Sequence, residues 1–239
     1  MKSSKSYSTP LMTKSTTQAA QWLSAGQLLV YPTESVWGIG CDAFNQRAVQ
    51  QLLTIKQRPV DKGMIVVTDS VDRIAPLLEA LSTEQRQTVL DSWDTAPNTV
   101  SQQAHTWLLP LPQSLSQSLP QSLSQSLSQS SSRPLFNALA VPIPAWISGA
   151  HNSVAVRVIS HPLIQQLCAQ VVSAANPYGF IVSTSCNLSS QPPALSLAQA
   201  QAYFMSSDFS THVGYLEGET LGYQLPSQIG DALTGRIIR

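Results

Sequence analysis

Charge is scarce in this sequence. Of 239 residues, 13 are Lys or Arg and 13 are Asp or Glu, and the formal net charge is zero. Such a balance offers no broad electrostatic hold on nucleic acid and leaves only local basic patches for that purpose. Cysteine is nearly absent. Cys41, Cys168 and Cys186 are far apart, with no CxxC or Cys/His cluster to suggest zinc. They read as small apolar core residues in a reducing compartment. No apolar run approaches the ~18 residues of a membrane span. The N-terminal MKSSKSYSTPLMTK is basic and Ser-rich but lacks an apolar signal-peptide core. These absences imply a soluble, cytoplasmic protein that is not built into a membrane. GxxxxGK[ST], GxSxG and HExxH are all missing, which excludes P-loop, hydrolase-elbow and zinc-protease chemistry in their usual forms. His105, His151, His161 and His212 lie outside any catalytic spacing.

What is present centres on Tyr31 to Val67. Within seven positions of this charge-poor chain stand Lys56, Arg58 and Lys62. Cations gathered beside a turn suggest a bound anion. The stretch reads as strand, turn, helix, turn, strand. Pro32 closes the first strand, and Asn45 is placed to cap a helix whose stripe is Val49, Leu52 and Leu53. Pro59 pushes Arg58 out of the helical region, so the helix should end near Gln57. Lys56 then leaves from the last turn and Arg58 from an extended link, so both can reach one point. Gly63 opens the second strand, Met64 to Val67.

The rest of the chain alternates helix and strand patterns. Residues 1–12 read as a flexible tail, and 13–239 as one domain. Thr13 to Ala25 is helical and Gln27 to Tyr31 a strand. Asp69 or Ser70 should cap a short helix bearing Ile74, Leu77 and Leu78. Ser82 to Gln85 is a capping box opening a helix to about Trp93. Thr106 to Pro112 could form a short strand. The Gln/Ser/Leu repeat at 111–134 is too polar to offset the entropy of ordering it and reads as a disordered insertion. SVAVRV, Ser153 to Val158, alternates cleanly and sets Arg157 beside the small Ser153 and Ala155. Ser160 should cap a helix with Pro162 in its first turn. Phe180 to Thr184 and His212 to Leu216 read as strands, with a last one at Gly235 to Ile238. PSQIGDALTG reads as a turn-rich crossing. At period two, Ser183, Ser185 and Asn187 share a side and aim two hydroxyls and an amide together.

The polar inventory is thus Lys, Arg, Ser, Thr and Asn, with no evident nucleophile or general base. It suits phosphoryl or nucleotidyl transfer, where positioning and charge stabilisation dominate. It suits passive anion binding equally well.

PTESVWGIGCD, KQRPVDKGMIVV, SVAVRV, STSCNLS and PSQIGDALTGRIIR occur in the order found in the TsaC/YrdC family of L-threonylcarbamoyladenylate synthases, and the chain resembles that family over most of its length. The resemblance implies a single α/β domain, a twisted mixed sheet flanked by helices and interrupted by the low-complexity insertion. It implies condensation of L-threonine, bicarbonate or CO2, and ATP into threonylcarbamoyl-AMP and pyrophosphate. Mg2+ would be carried by the ATP, and the product would pass to threonylcarbamoyl transferase machinery acting on tRNA. Lys56, Arg58, Ser185 and Asn187 match the family's KxR…SxN tetrad. By analogy Lys56 and Arg58 would hold the triphosphate, while Ser185 and Asn187 orient nucleotide or carbamate. Thr33 would contact threonine; Ser183, Arg157 and Lys62 would lie on the nucleotide side. The family's Trp-Pro-Gly-Pro-x-Thr stretch has only partial counterparts, WDTAPNTV and HTWLLPLP. Two other readings stand beside this one. The first is a YrdC-like module that grips RNA without making the adenylate. The second is the related carbamoyl chemistry of hydrogenase maturation.

Overall fold

The computed structural model describes residues 11–94, 103–112, 141–204, 212–225 and 227–239. In chain order the elements are β1 (Leu11–Thr13), α1 (Thr16–Ser24), β2 (Leu28–Pro32), β3 (Trp37–Asp42), α2 (Gln46–Lys56), β4 (Ile65–Thr68), α3 (Ala75–Leu78), α4 (Thr83–Trp93) and β5 (His105–Pro110). There follow α5 (Ala145–Ser148), β6 (Ser153–Val158), α6 (Pro162–Gln170), β7 (Ile181–Ser185), α7 (Leu197–Phe204), β8 (Val213–Leu216) and β9 (Gln228–Asp231). The nine strands found among the described residues form one mixed sheet, ordered β1-β8-β2-β3-β7-β4-β6-β5-β9. Both β2 and β4 neighbour antiparallel and parallel partners.

Both sheet faces are apolar over much of their area. One carries Ile39, Cys41, Val66, Val156, Val182 and Trp107, packed with Val49 and Leu52 of α2 and Val89 of α4. The other carries Leu29, Tyr31, Val67 and Ile181, covered by Ala19 and Leu23 of α1 and by Ile164 and Leu167 of α6. A buried aliphatic chain of this size contributes about 1.5–3 kcal/mol, so these two layers dominate the fold's stability.

Helix starts follow the capping chemistry. Asn45 Oδ1 accepts from the Ala48 N–H at 3.1 Å, and the Ser82–Gln85 box closes in both directions at 3.2 and 2.9 Å. Two caps differ from expectation. Asp69 does not start a helix; it pairs with Arg73 at 2.5 Å, and α3 begins only at Ala75. His161, not Ser160, occupies the cap position of α6, and the Ser160 N–H donates to Glu34 at 3.0 Å.

The stretch between β2 and α2 is a hairpin rather than a turn. Its second strand, β3, carries Gly38 and Gly40, which weaken the strand signal. Both are needed. A Cβ on Gly40 would stand 2.0 Å from the Val182 carbonyl oxygen and 2.6 Å from the Tyr31 hydroxyl. Gly40→Ala is therefore expected to destabilise the protein by about 3 kcal/mol, the upper end for overpacking. A urea midpoint equal to wild type would contradict that packing.

Three further boundaries move. Leu11 and Met12, read as tail, pair in parallel with Gly214 and Tyr215 of β8, a partner some two hundred positions away that local pattern cannot reveal. The last strand lies at Gln228–Asp231, inside the presumed crossing, because β5 offers it an edge; the Gly235–Ile238 stretch makes only an isolated bridge, from Ile237 to Gly230. Leu111 packs on the core and donates its N–H to the Asn152 carbonyl. The remainder of the 111–134 repeat, from residue 113 onward, lies outside the described residues.

Candidate active site

Helix α2 ends as its sequence requires. Gln57 adopts the left-handed conformation, φ 46°, ψ 41°, and the Arg58 N–H returns to the Leu53 carbonyl. Lys56 thus projects from the last turn toward the end of β7. Its ammonium donates to the Ser185 carbonyl at 3.0 Å, the Asn187 carbonyl at 2.9 Å and Asn187 Oδ1 at 2.5 Å. Those bonds use all three of its protons. Ser185 Oγ donates to the same Asn187 Oδ1 at 2.8 Å, and the Asn187 amide donates to the Gln191 carbonyl. Residues 129 and 131 positions apart in sequence therefore meet. Burial lowers the Lys56 pKa from the ordinary lysine value; Cys186 opposes that shift and the Arg58 charge adds to it. Cys186 itself is buried and its thiol is pushed up to about 12 by burial, with Lys56 pulling the other way.

Arg58 is held differently. Its Nε donates to the Gly63 carbonyl at 2.9 Å and its Nη2 to the Lys62 carbonyl at 3.0 Å. Among the described residues, no hydrogen bond joins it to Ser185 or Asn187, although its charge reaches Lys56. Lys62 contributes its main chain to this clasp and keeps an exposed position in the short turn Val60–Lys62. That turn is wedged against α5. A Cβ on Gly149 would stand 2.3 Å from the Asp61 carbonyl oxygen, and the Ala150 N–H donates to that oxygen at 2.9 Å.

The sheet supplies the second wall. Ser183 and Ser185 pair directly with Gly40 and Gly38, so the hydroxyls stand beside strand positions without side chains. Arg157 lies on the same face, two strands away through Val67 and Ile181. It is not unpartnered there: Nη1 lies 3.4 Å from Glu34 Oε2 and Nε 3.3 Å from Thr106 Oγ1. Thr33 is buried in the β2–β3 turn, and its hydroxyl donates to the Val36 carbonyl at 2.7 Å. The carbonyls of Thr33 and Glu34 accept from Leu221 and Tyr223, which laces residues 221–223 along the turn.

Two residues escaped the sequence reading. Glu34, only 1% exposed, joins Arg157 to the Ser160 N–H. Thr106 lies in the HTWLLPLP fragment, buried beside Arg157. A carboxylate directly after a Pro-Thr turn was the available signal for Glu34; nothing local marked Thr106.

The family model Sua5_yciO_yrdC, described as "Telomere recombination", matches residues 21–124 and 113–239. A curated protein of Psychrobacter arcticus named threonylcarbamoyl-AMP synthase is 63% identical over 237 residues, 98% of this chain and 100% of its own. The chain belongs to the Sua5/YciO/YrdC family. A synthase of the same name from Acinetobacter baumannii is 40% identical over 96% of this chain and 100% of its own. Among solved structures of the fold, Escherichia coli YciO aligns at TM-score 0.63 and 14% identity, covering 96% of this chain and 92% of that one. P. abyssi Sua5 complexed with L-threonine aligns at TM-score 0.61 and 21% identity over 92% of this chain, which spans 53% of that one. The mixed sheet with helices on both faces is thus the Sua5/YciO fold. No helix among the described residues is long and apolar enough to cross a membrane.

Proposed function

We propose that this chain is a threonylcarbamoyl-AMP synthase, condensing L-threonine, bicarbonate or CO2, and MgATP into threonylcarbamoyl-AMP and pyrophosphate. The observation that carries the reading is 63% identity to a synthase of that name across essentially the whole of both chains. The donor-rich site at the α2–β7 junction supports it.

The chemistry needs positioning more than proton transfer. The threonine nitrogen adds to CO2, giving a carbamate and releasing a proton. A carbamate oxygen then attacks the α-phosphorus, and the bond to the β,γ-pyrophosphate breaks. Arg58 has two of its five N–H groups committed to carbonyls, so three can serve phosphate oxygens. Lys56 acts through the turn it holds. With its protons given to Ser185 and Asn187, it fixes the 185–187 turn and adds positive charge from behind. Ser185 and Asn187 then present oriented polar groups to nucleotide or carbamate. Ser183 and Arg157 lie on the nucleotide side, with Lys62 at its rim, and Thr33 meets threonine. Magnesium arrives on the phosphates of ATP. The product would be used by a threonylcarbamoyl transferase acting on tRNA.

Pyrophosphate release from ATP is the test. It is expected only with both threonine and bicarbonate present. A chain that binds RNA in a salt-sensitive way while consuming no ATP would be a YrdC-like RNA module instead.

A further inference from the structure

Tyr31 is completely buried, and its hydroxyl has no hydrogen-bond partner. A phenol normally finds a partner when it is taken out of water, and leaving it without one costs stability. Its placement is specific. Tyr31 pairs with Gly38, and its ring lies along the side of β3 where Gly38 and Gly40 carry no side chain. A Cβ on Gly38 would stand 3.1 Å from the ring edge, and one on Gly40 would stand 2.6 Å from the hydroxyl. Gly40 in turn pairs with Ser183. The hydroxyl therefore reaches across β3 toward Ser183, which is near enough to act on its proton but makes no bond to it within hydrogen-bonding geometry. Two glycines at alternate positions keep open a trough whose effect is to bring a phenol, unsatisfied, beneath a serine of the site.

We propose that Tyr31 is a positioning residue: its hydroxyl engages Ser183 Oγ when nucleotide is bound and fixes the direction in which Ser183 meets the nucleotide. This rests on the synthase reading for the placement of Ser183. The orphan hydroxyl is a cost in the free protein that is recovered with nucleotide in place. Stability and function should therefore move in opposite directions when it is removed.

The test compares Tyr31→Phe, Ser183→Ala and the double variant with the full chain. Tyr31→Phe is expected to melt at the wild-type temperature or above, since a buried donor without a partner is removed. Its kcat/KM for ATP should fall about tenfold, the worth of one hydrogen bond made only with substrate bound, while KM for threonine stays unchanged. In the Ser183→Ala background the same change should add nothing. Three results would overturn the proposal: wild-type kcat/KM in Tyr31→Phe, an equal further loss in the double variant, or a lower melting temperature in Tyr31→Phe. Calorimetric ATP titrations separate this from the synthase reading. If the wild-type chain binds ATP but releases no pyrophosphate, that reading falls. Tyr31 is then judged by Kd alone: tenfold weaker ATP binding in Tyr31→Phe supports its role and an unchanged Kd overturns it. A wild-type chain that fails to bind ATP overturns both.

Discussion

Arg58→Ala is expected to slow pyrophosphate release by about 10²–10³-fold, the scale of one preorganised donor aimed at developing charge. The fold should survive, because the two bonds lost lead to carbonyls of a surface turn, those of Lys62 and Gly63. Arg58→Lys should not restore the rate. A single ammonium cannot grip two carbonyls and still present further N–H groups in a fixed plane. Lys56→Ala should cost a similar factor by another route. It strips Ser185 and Asn187 of a shared donor, so the 185–187 turn loses its arrangement. Steady-state rates and melting curves together check both. Losses below about threefold in each variant would place the chemistry elsewhere.

Glu34→Ala is expected to be the most destabilising substitution near the site. Glu34 is 1% exposed and the Arg157 side chain 13% exposed. Removing the carboxylate leaves a guanidinium mostly out of water without its counter-charge and orphans the Ser160 N–H. Breaking one partner of a buried ion pair costs about 3–5 kcal/mol. Glu34→Gln keeps an acceptor for Ser160 and should cost less. Urea unfolding at neutral pH measures the difference. A Glu34→Ala stability within about 0.5 kcal/mol of wild type, the usual range for surface changes, would mean that the pair is not a structural anchor.

The sequence was most legible where local chemistry decides local structure. Asn45 and the Ser82 box could be placed because a cap needs only its own next three residues. Ser153–Val158 could be placed because strict alternation has one reading as a strand. The Pro59 argument located the end of α2 at Gln57. Legibility failed where the deciding partner is distant. The strand at Leu11–Thr13 exists through β8, and that at Gln228–Asp231 through β5. Within the site, residue types pointed to Lys56, Ser185 and Asn187, and those residues meet. The acceptors for Lys56, two of them main-chain carbonyls, have no sequence signature, so these bonds could not be foreseen. Arg157 is the instructive case. The motif set it beside small side chains with room for a ligand, and Glu34, 123 positions earlier, also stands against it.

The most direct measurement is to supply the purified chain with L-threonine, MgATP and isotopically labelled bicarbonate and to analyse the products by mass spectrometry. The proposed synthase yields threonylcarbamoyl-AMP carrying the label in its carbamoyl carbon, in equal amount to pyrophosphate, with little formed by Arg58→Ala. Pyrophosphate or AMP appearing without a labelled adenylate, or no consumption of ATP at all, would contradict it.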